Sequence, residues 1–223
     1  MLTVHHLENS RSQRILWLLE ELGVEYEIQR YGRDKQTGLA PPELKDVHPL
    51  GKAPVIVDRG VTVAESGAII EYLADTYDDG RFRPAGGTPE ALAYTYWLHY
   101  AEGTFMPLMI ITLILARIDT APMPFFVKPI AKGITGKVRS GYLDANVKNN
   151  LRYIEQTLAQ SKWFCGDTFT AADVQMSFPL EAAMTRIERI KALDHVVNFV
   201  KRVQARPAYQ RALERGGDYA YLA

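Results

Sequence analysis

The hydrophobic pattern changes period several times along the first 80 residues. Residues 2–7 (LTVHHL) are short and partly β-branched, and they run into the polar Glu8-Asn9-Ser10-Arg11-Ser12, as a strand entering a helix N-terminus does. Ile15, Leu18, Leu19 and Leu22 then fall at i, i+3, i+4 and i+7, with Gly23 placed to stop the helix. Residues 24–29 alternate as a second strand. The polar, proline-containing stretch 32–49 reads as loop with a short helix around 42–47. Residues 53–57 and 61–64 flank Asp58-Arg59-Gly60, a hairpin signature, and 66–77 returns to helical spacing through Ile69, Tyr72 and Leu73. The predicted order is β-α-β-α-β-β-α, a small α/β domain.

Residues 78–89 (DDGRFRPAGGTP) have the glycine, proline and charge of a linker, and the pattern beyond them is helix or loop. A long helix is expected over 90–117 with a kink at Pro107. Residues 119–141, with three prolines and three glycines, read as loop or broken helix. Amphipathic spacing returns over 144–159. Thr170 with Asp173 forms a capping box ahead of another helix, 195–204 is helical, and Pro207 opens a last helix. The expected division is 1–80 (α/β), 81–89 (linker) and 90–223 (all helical).

The 223 residues carry 26 basic and 26 acidic side chains, so a partner bound by phosphate neutralisation, such as nucleic acid, is not expected. The balance is uneven: residues 1–80 hold 8 basic and 14 acidic side chains (net −6), and 81–223 hold 18 and 12 (net +6), which supports two domains. The most apolar run, 106–116, is about half of what spans a bilayer, so no stable membrane insertion is expected and the location reads as cytoplasmic. One cysteine, Cys165, excludes an internal disulfide and a CxxC pair, and it reads as a small buried residue. The five histidines show no ligand spacing, so no metal is expected.

Three places could carry chemistry. Ser10 stands at a helix N-terminus, where backbone N–H groups and the helix dipole favour an anion such as a thiolate. Ser10 with Gln13 also makes S-x-x-Q, a plain capping box, and spacing alone favours that reading. In Lys52-Ala53-Pro54-Val55 the proline can simply open a strand with a trans bond; a cis bond would turn the Ala53 backbone outward to pair with an extended peptide. Glu65-Ser66 opens the next helix: Ser66 is a fair N-cap, and without a capping box its hydroxyl is free for a carboxylate, while Glu65 could accept from an ammonium. Taken alone, this pair reads as cap and surface charge.

Taken together, NSRSxRILWLLEELGVEYE, HPLGKAPV, AESGAIIEYL, WFCGDTFTAADVQMSFPLEAA and RPAYQRAL, in this order and spacing, resemble the cytosolic glutathione S-transferases over nearly the whole chain, nearest the bacterial and fungal Ser-type branch. The resemblance implies a thioredoxin-like N-terminal domain, an all-α C-terminal domain and a homodimer. It implies glutathione as co-substrate, activated for attack on a small hydrophobic electrophile in detoxification, with peroxidase or disulfide-reductase activity beside it. Ser10 is the implied catalytic residue, with Asn9 the competing position and Arg11 also within reach of the sulfur. Ala53, before a cis-proline, would pair with the cysteinyl backbone; Glu65 and Ser66 would hold the γ-glutamyl end, and Lys52 the glycyl carboxylate. Thr170 and Asp173 match a box whose role is folding. The electrophile pocket is expected on the first long helix of the second domain, at Tyr100, Phe105, Met106 and Met109, with Tyr219 and Tyr221 of the tail as a cover. Lys128 and Lys132 of the 119–141 insert face glutathione or solvent, and Phe125 and Phe126 could touch a membrane surface. Alternatives are a non-catalytic binding or regulatory protein of the same fold, and a specialised glutathione-dependent lyase or isomerase.

Overall fold

The computed structural model describes residues 1–222. Strand β1 (Leu2–Leu7), helix α1 (Ser12–Leu22) and strand β2 (Tyr26–Tyr31) form a βαβ start in which β2 lies parallel to β1. A short α2 (Leu44–Val47) precedes β3 (Val55–Asp58) and β4 (Val61–Ala64), and α3 (Ser66–Tyr77) closes the unit. The sheet order is β2-β1-β3-β4, with β3 antiparallel to both neighbours, the mixed four-stranded arrangement of a thioredoxin-like domain. Arg59 and Gly60 both take positive φ (51° and 80°), as a tight hairpin turn twisted to match its strands requires.

Helix α1 does more than cover the sheet. Ile15, Leu16, Trp17, Leu18 and Leu19 are all fully buried, so the helix is enclosed all round instead of showing one apolar stripe. Trp17 packs tilted against Phe169 and edge-on against Tyr209 of the helical domain (centroids 5.6 and 5.3 Å). The expected Ser10–Gln13 capping box does not form. The Ser10 hydroxyl accepts instead from the Ser12 N–H at 3.2 Å, and the buried Gln13 Nε2 has no partner, because α10 covers this face of the helix.

The helical domain begins with α4 (Pro89–Tyr100), a π-helical turn (Ala101–Phe105) and α5 (Met106–Thr120). The wide turn directly before Pro107 absorbs the hydrogen bond that proline cannot donate. The whole helix, Pro89–Thr120, has 32 residues and is long and apolar enough to cross a membrane, about three times the apolar run seen in the sequence. Its buried residues, among them Trp97, Ala101, Phe105 and Met109, pack in the protein core with α8.

Residues 119–141 break the helix as expected, at the non-helical 121–127, but the remainder is helical. Pro129 sits in the first turn of α6 (Lys128–Val138), where proline is tolerated, and a second π-helical turn (Arg139–Leu143) leads directly into α7 (Asp144–Gln160). Asp119 fastens the insert, accepting from Thr135 Oγ1 at 2.6 Å and pairing with Arg139 at 2.9 Å.

Helix α8 (Ala171–Arg186) carries the expected capping box: the Thr170 N–H donates to Asp173 Oδ2 at 2.8 Å, and the Phe164 N–H also donates to this buried carboxylate at 2.9 Å. A 3₁₀ turn, α9 (Asp194–Gln204) and α10 (Pro207–Gly216) complete the chain. At the α1–α10 crossing a Cβ on Gly216 would fall 2.6 Å from Gln13 Oε1 and 3.1 Å from Leu16 Cδ1, so a larger residue would have to displace the Gln13 side chain. The acidic N-terminal part meets the basic C-terminal part here: Glu21 pairs with Arg206 at 2.5 Å, and Glu20 pairs with Arg211 and Arg215 at 2.8 and 3.0 Å.

Candidate active site

A cleft runs between the two domains as adjoining cavities of about 450 and 270 Å³, which share Arg11, Leu50, Lys52, Ala53 and Ile110. Asn9 and Ser10 line the first, and Pro54, Glu65, Ser66 and Glu102 line the second. The fold therefore brings to one cleft three segments far apart in sequence: the turn after β1, the loop before β3 and the start of α3. The Ala53–Pro54 peptide bond is cis, the form named by the resemblance and not the one favoured by the residues alone. Ser66 is the first helical residue of α3, so it does not act as N-cap. Glu65 precedes it at φ 71°, a left-handed conformation rare for a non-glycine residue.

Behind Ser10 lies a chain of buried polar groups. Ser10 Oγ is 2.7 Å from Ser12 Oγ, which in turn is 2.8 Å from His6 Nδ1. Burial pushes His6 down to about 4, with the Arg30 charge adding to the effect, so the imidazole is neutral at physiological pH. The Ser12 hydroxyl also lies 3.2 Å from the Leu7 carbonyl oxygen, so it donates to Leu7 or to His6 according to the tautomer of the imidazole. Ser10 Oγ thus bonds the Ser12 hydroxyl and accepts from the Ser12 N–H, which holds it on the cleft wall at the start of α1.

Asn9, at φ 50°, is held differently: its Oδ1 accepts from the Ala220 N–H at 2.7 Å. The C-terminal tail is tied down over the cleft edge. Tyr219 donates to Glu181 Oε2 at 2.6 Å and Tyr209 to Oε1 at 2.5 Å, while Tyr221 lines the cavity and accepts from Arg186 at 3.0 Å. Burial raises the Glu181 carboxyl above its ordinary value, against the pull of these hydroxyl donors.

Arg11 donates to both oxygens of Glu102 (3.0 and 3.1 Å), and the fully buried Arg14 bonds the same carboxylate and the Gln175 carbonyl at 2.6 Å. Burial would raise the Glu102 carboxyl, but Arg14 and Arg11 more than offset it and hold it low. Sequence reasoning passed over Glu102, although it is the single acidic residue between positions 91 and 118.

The expected electrophile pocket needs correction. Tyr100, Phe105 and Met109 do not reach the cleft: they lie on the core face of the long helix, with the Tyr100 hydroxyl bonded to Asn150. Met106 does line the cleft. The remaining apolar wall is Ile110 and Leu113, one and two turns further on, with Phe178 and Tyr221. Tyr219 is buried behind the cleft, and Phe125 and Phe126 are exposed on the insert.

Comparison with known proteins decides the family. The profile of the glutathione S-transferase N-terminal domain matches residues 1–75, and that of the C-terminal domain matches residues 124–215. Glutathione S-transferase 3 of Schizosaccharomyces pombe is 39% identical over 219 residues, covering 98% of this chain and 89% of the relative. The chain belongs to the glutathione S-transferase family. Glutathione S-transferase 1 of Saccharomyces cerevisiae is 35% identical over 193 residues, covering 83% of this chain and 82% of the relative. The crystal structure of a glutathione S-transferase from Actinobacillus pleuropneumoniae superposes with a TM-score of 0.80 at 33% identity, covering 99% of this chain and 95% of that one. In this glutathione S-transferase the lone cysteine stands apart from the cleft: burial pushes the Cys165 thiol up to about 12, which keeps it protonated and inert.

Proposed function

We propose that this enzyme binds glutathione along the cleft, ionises its thiol at Ser10 and transfers the sulfur to small hydrophobic electrophiles, acting as a cytoplasmic homodimer in detoxification. The observation that carries this reading is the convergence of Ser10, Lys52, Ala53, Glu65 and Ser66 on adjoining cavities. Lys52 is placed for the glycyl carboxylate. Ala53 supplies backbone groups to the cysteinyl residue, and Glu65 with Ser66 faces the γ-glutamyl ammonium and carboxylate.

Ser10 is taken as the donor because its hydroxyl lines the cleft at the N-terminus of α1; the Asn9 amide N–H, oriented by the Ala220 N–H bond to Oδ1, is the competing donor. Arg11 is held by Glu102 and supplies positive potential near the sulfur. Lowering a thiol from about 8.5 by roughly two units requires about 2.7 kcal/mol of differential stabilisation. A hydroxyl donor at the start of α1 is suited to that task. The same activated thiol would serve peroxide or disulfide substrates.

Calorimetric titration with glutathione, joined to ultraviolet absorbance of the bound thiolate across pH, tests the reading. Thiolate persisting well below pH 8 is expected, with Ser10→Ala raising the apparent pKa by about two units and Asn9→Ala leaving it in place. The reverse pattern would move catalysis to Asn9, and absence of glutathione binding at millimolar concentration would favour a non-catalytic protein of this fold.

A further inference from the structure

The larger cavity of the cleft is lined by four cations, Arg11, Arg33, Lys52 and Arg186, and by no aspartate or glutamate. Three of them have evident work. Arg11 is paired with Glu102. Arg33 donates to the carbonyl oxygens of Glu8, Asn9 and Gly38 and so braces the turn that holds Ser10. Lys52 is assigned above to glutathione.

Arg186 is left over. It is the last residue of α8, half-buried, and it forms no ion pair among the described residues. One guanidinium nitrogen donates to the Tyr221 hydroxyl at 3.0 Å, and the other, Nη1, is buried with no partner. The guanidinium also lies 5.5 Å from the centroid of the Tyr221 ring, which in turn packs edge-on against Phe178 at 5.4 Å. A partly desolvated guanidinium without a counter-ion among the described residues is unfavourable, and one that lines a ligand cleft beside the Tyr221 ring is a donor for a carboxylate brought by a ligand.

We infer that Arg186 anchors a carboxylate on the electrophile, so that the substrates of this enzyme are apolar, ring-sized electrophiles bearing an acidic group remote from the reacting carbon. The inference rests on the reading of the cleft as the site where glutathione meets its electrophile. Ile110, Leu113 and Met106 cover the apolar body, and Arg186 fixes the far end. The chemical step is simple substitution. The thiol proton leaves to solvent, the sulfur forms a bond to the halogen-bearing ring carbon, and the carbon–chlorine bond breaks with chloride carrying away its electron pair.

The test compares 4-chloro-3-nitrobenzoate with 4-chloro-3-nitrobenzamide, which share the reacting centre and differ in charge. After correction for their uncatalysed rates, the wild-type kcat/KM should favour the benzoate at least tenfold. Arg186→Gln should lower the benzoate-to-benzamide ratio about 10- to 100-fold, mainly through KM, as expected for loss of a charge-assisted hydrogen bond, and Arg186→Lys should restore part of it. Binding of the unreactive 3-nitrobenzoate and 3-nitrobenzamide to the wild-type protein gives a second reading that does not depend on the variant folding, with the benzoate expected at least tenfold tighter. No preference in the wild-type protein, or an equal loss for both compounds in Arg186→Gln, would overturn the anchor. Glutathione titration in the same samples separates the two failures: bound thiolate without benzoate preference removes only the role of Arg186, and absence of bound glutathione removes the transferase reading with it.

Discussion

The two walls of the cleft are built on different principles. The thioredoxin-like wall is made from turns and element ends, at Asn9 to Arg11, Lys52 to Pro54 and Glu65 to Ser66, where backbone geometry places the functional groups. The helical wall is made from one face of a long helix, and there a shift of one residue separates core from cleft. Phe105 and Met109 are fully buried, whereas Met106 and Ile110, their immediate neighbours in sequence, line the cavity. The thioredoxin-like wall can therefore stay constant in form while the helical wall is redrawn by single substitutions along one helix.

The sharpest way to break the contrast is to truncate on each side of the core boundary. Met109→Ala should destabilise the protein by about 3 kcal/mol through the cavity it leaves, read from urea denaturation, with little change in electrophile preference. Glu102→Gln should come next, since it leaves the buried Arg14 without its carboxylate, at a loss of about 3 kcal/mol in the same measurement. Because the folded-state Glu102 carboxyl lies below its ordinary value of 4.5, its contribution is present above that pH and is lost as pH falls through the lower folded value.

On the thioredoxin-like wall, His6 titrates near 4 when folded against 6.5 when unfolded. The unfolded chain then binds the proton first, so stability should fall as pH drops from 6.5 to 4, by up to about 3 kcal/mol. Thermal melts across that window should show the slope, and His6→Asn should flatten it. The smallest effect is expected for Ile110→Ala, which should cost well under 1 kcal/mol of stability at a half-exposed position yet raise KM for an apolar electrophile several-fold. A large loss of stability there would place Ile110 in the core and erase the distinction between the walls.

What the sequence discloses follows the same division. The hairpin at Arg59-Gly60, the stop at Gly23, the Thr170–Asp173 box and Pro207 at a helix start were all legible, because a local conformational requirement selects each residue type. The Ser10–Gln13 box was misread, since the Ser12 amide takes the Ser10 oxygen and α10 buries Gln13. The insert breaks at 121–127, where Pro122 and Pro124 stand, but continues as helix from Lys128: Pro129 falls in a first turn, where its missing N–H is not needed, and the bonds of Asp119 to Thr135 and Arg139 hold the helix despite its glycines. The roles of Glu102 and Arg186 were not legible, since each is defined by partners 80 or more positions away or by the lack of one. Helical periodicity marks apolar positions but does not say which of two adjacent apolar stripes meets the core and which meets an open cleft.

The division of charge described for the two halves, −6 and +6, has a consequence for the molecule as a whole. A protein with no net charge would drift little in an electric field, yet two domains of opposite sign leave it electrically uneven. Small anions approaching within a Debye length of about 8 Å at physiological salt would meet an oriented body, its cation-lined cleft set where the two signs adjoin. Dilute buffer would lengthen that reach and concentrated salt would shorten it.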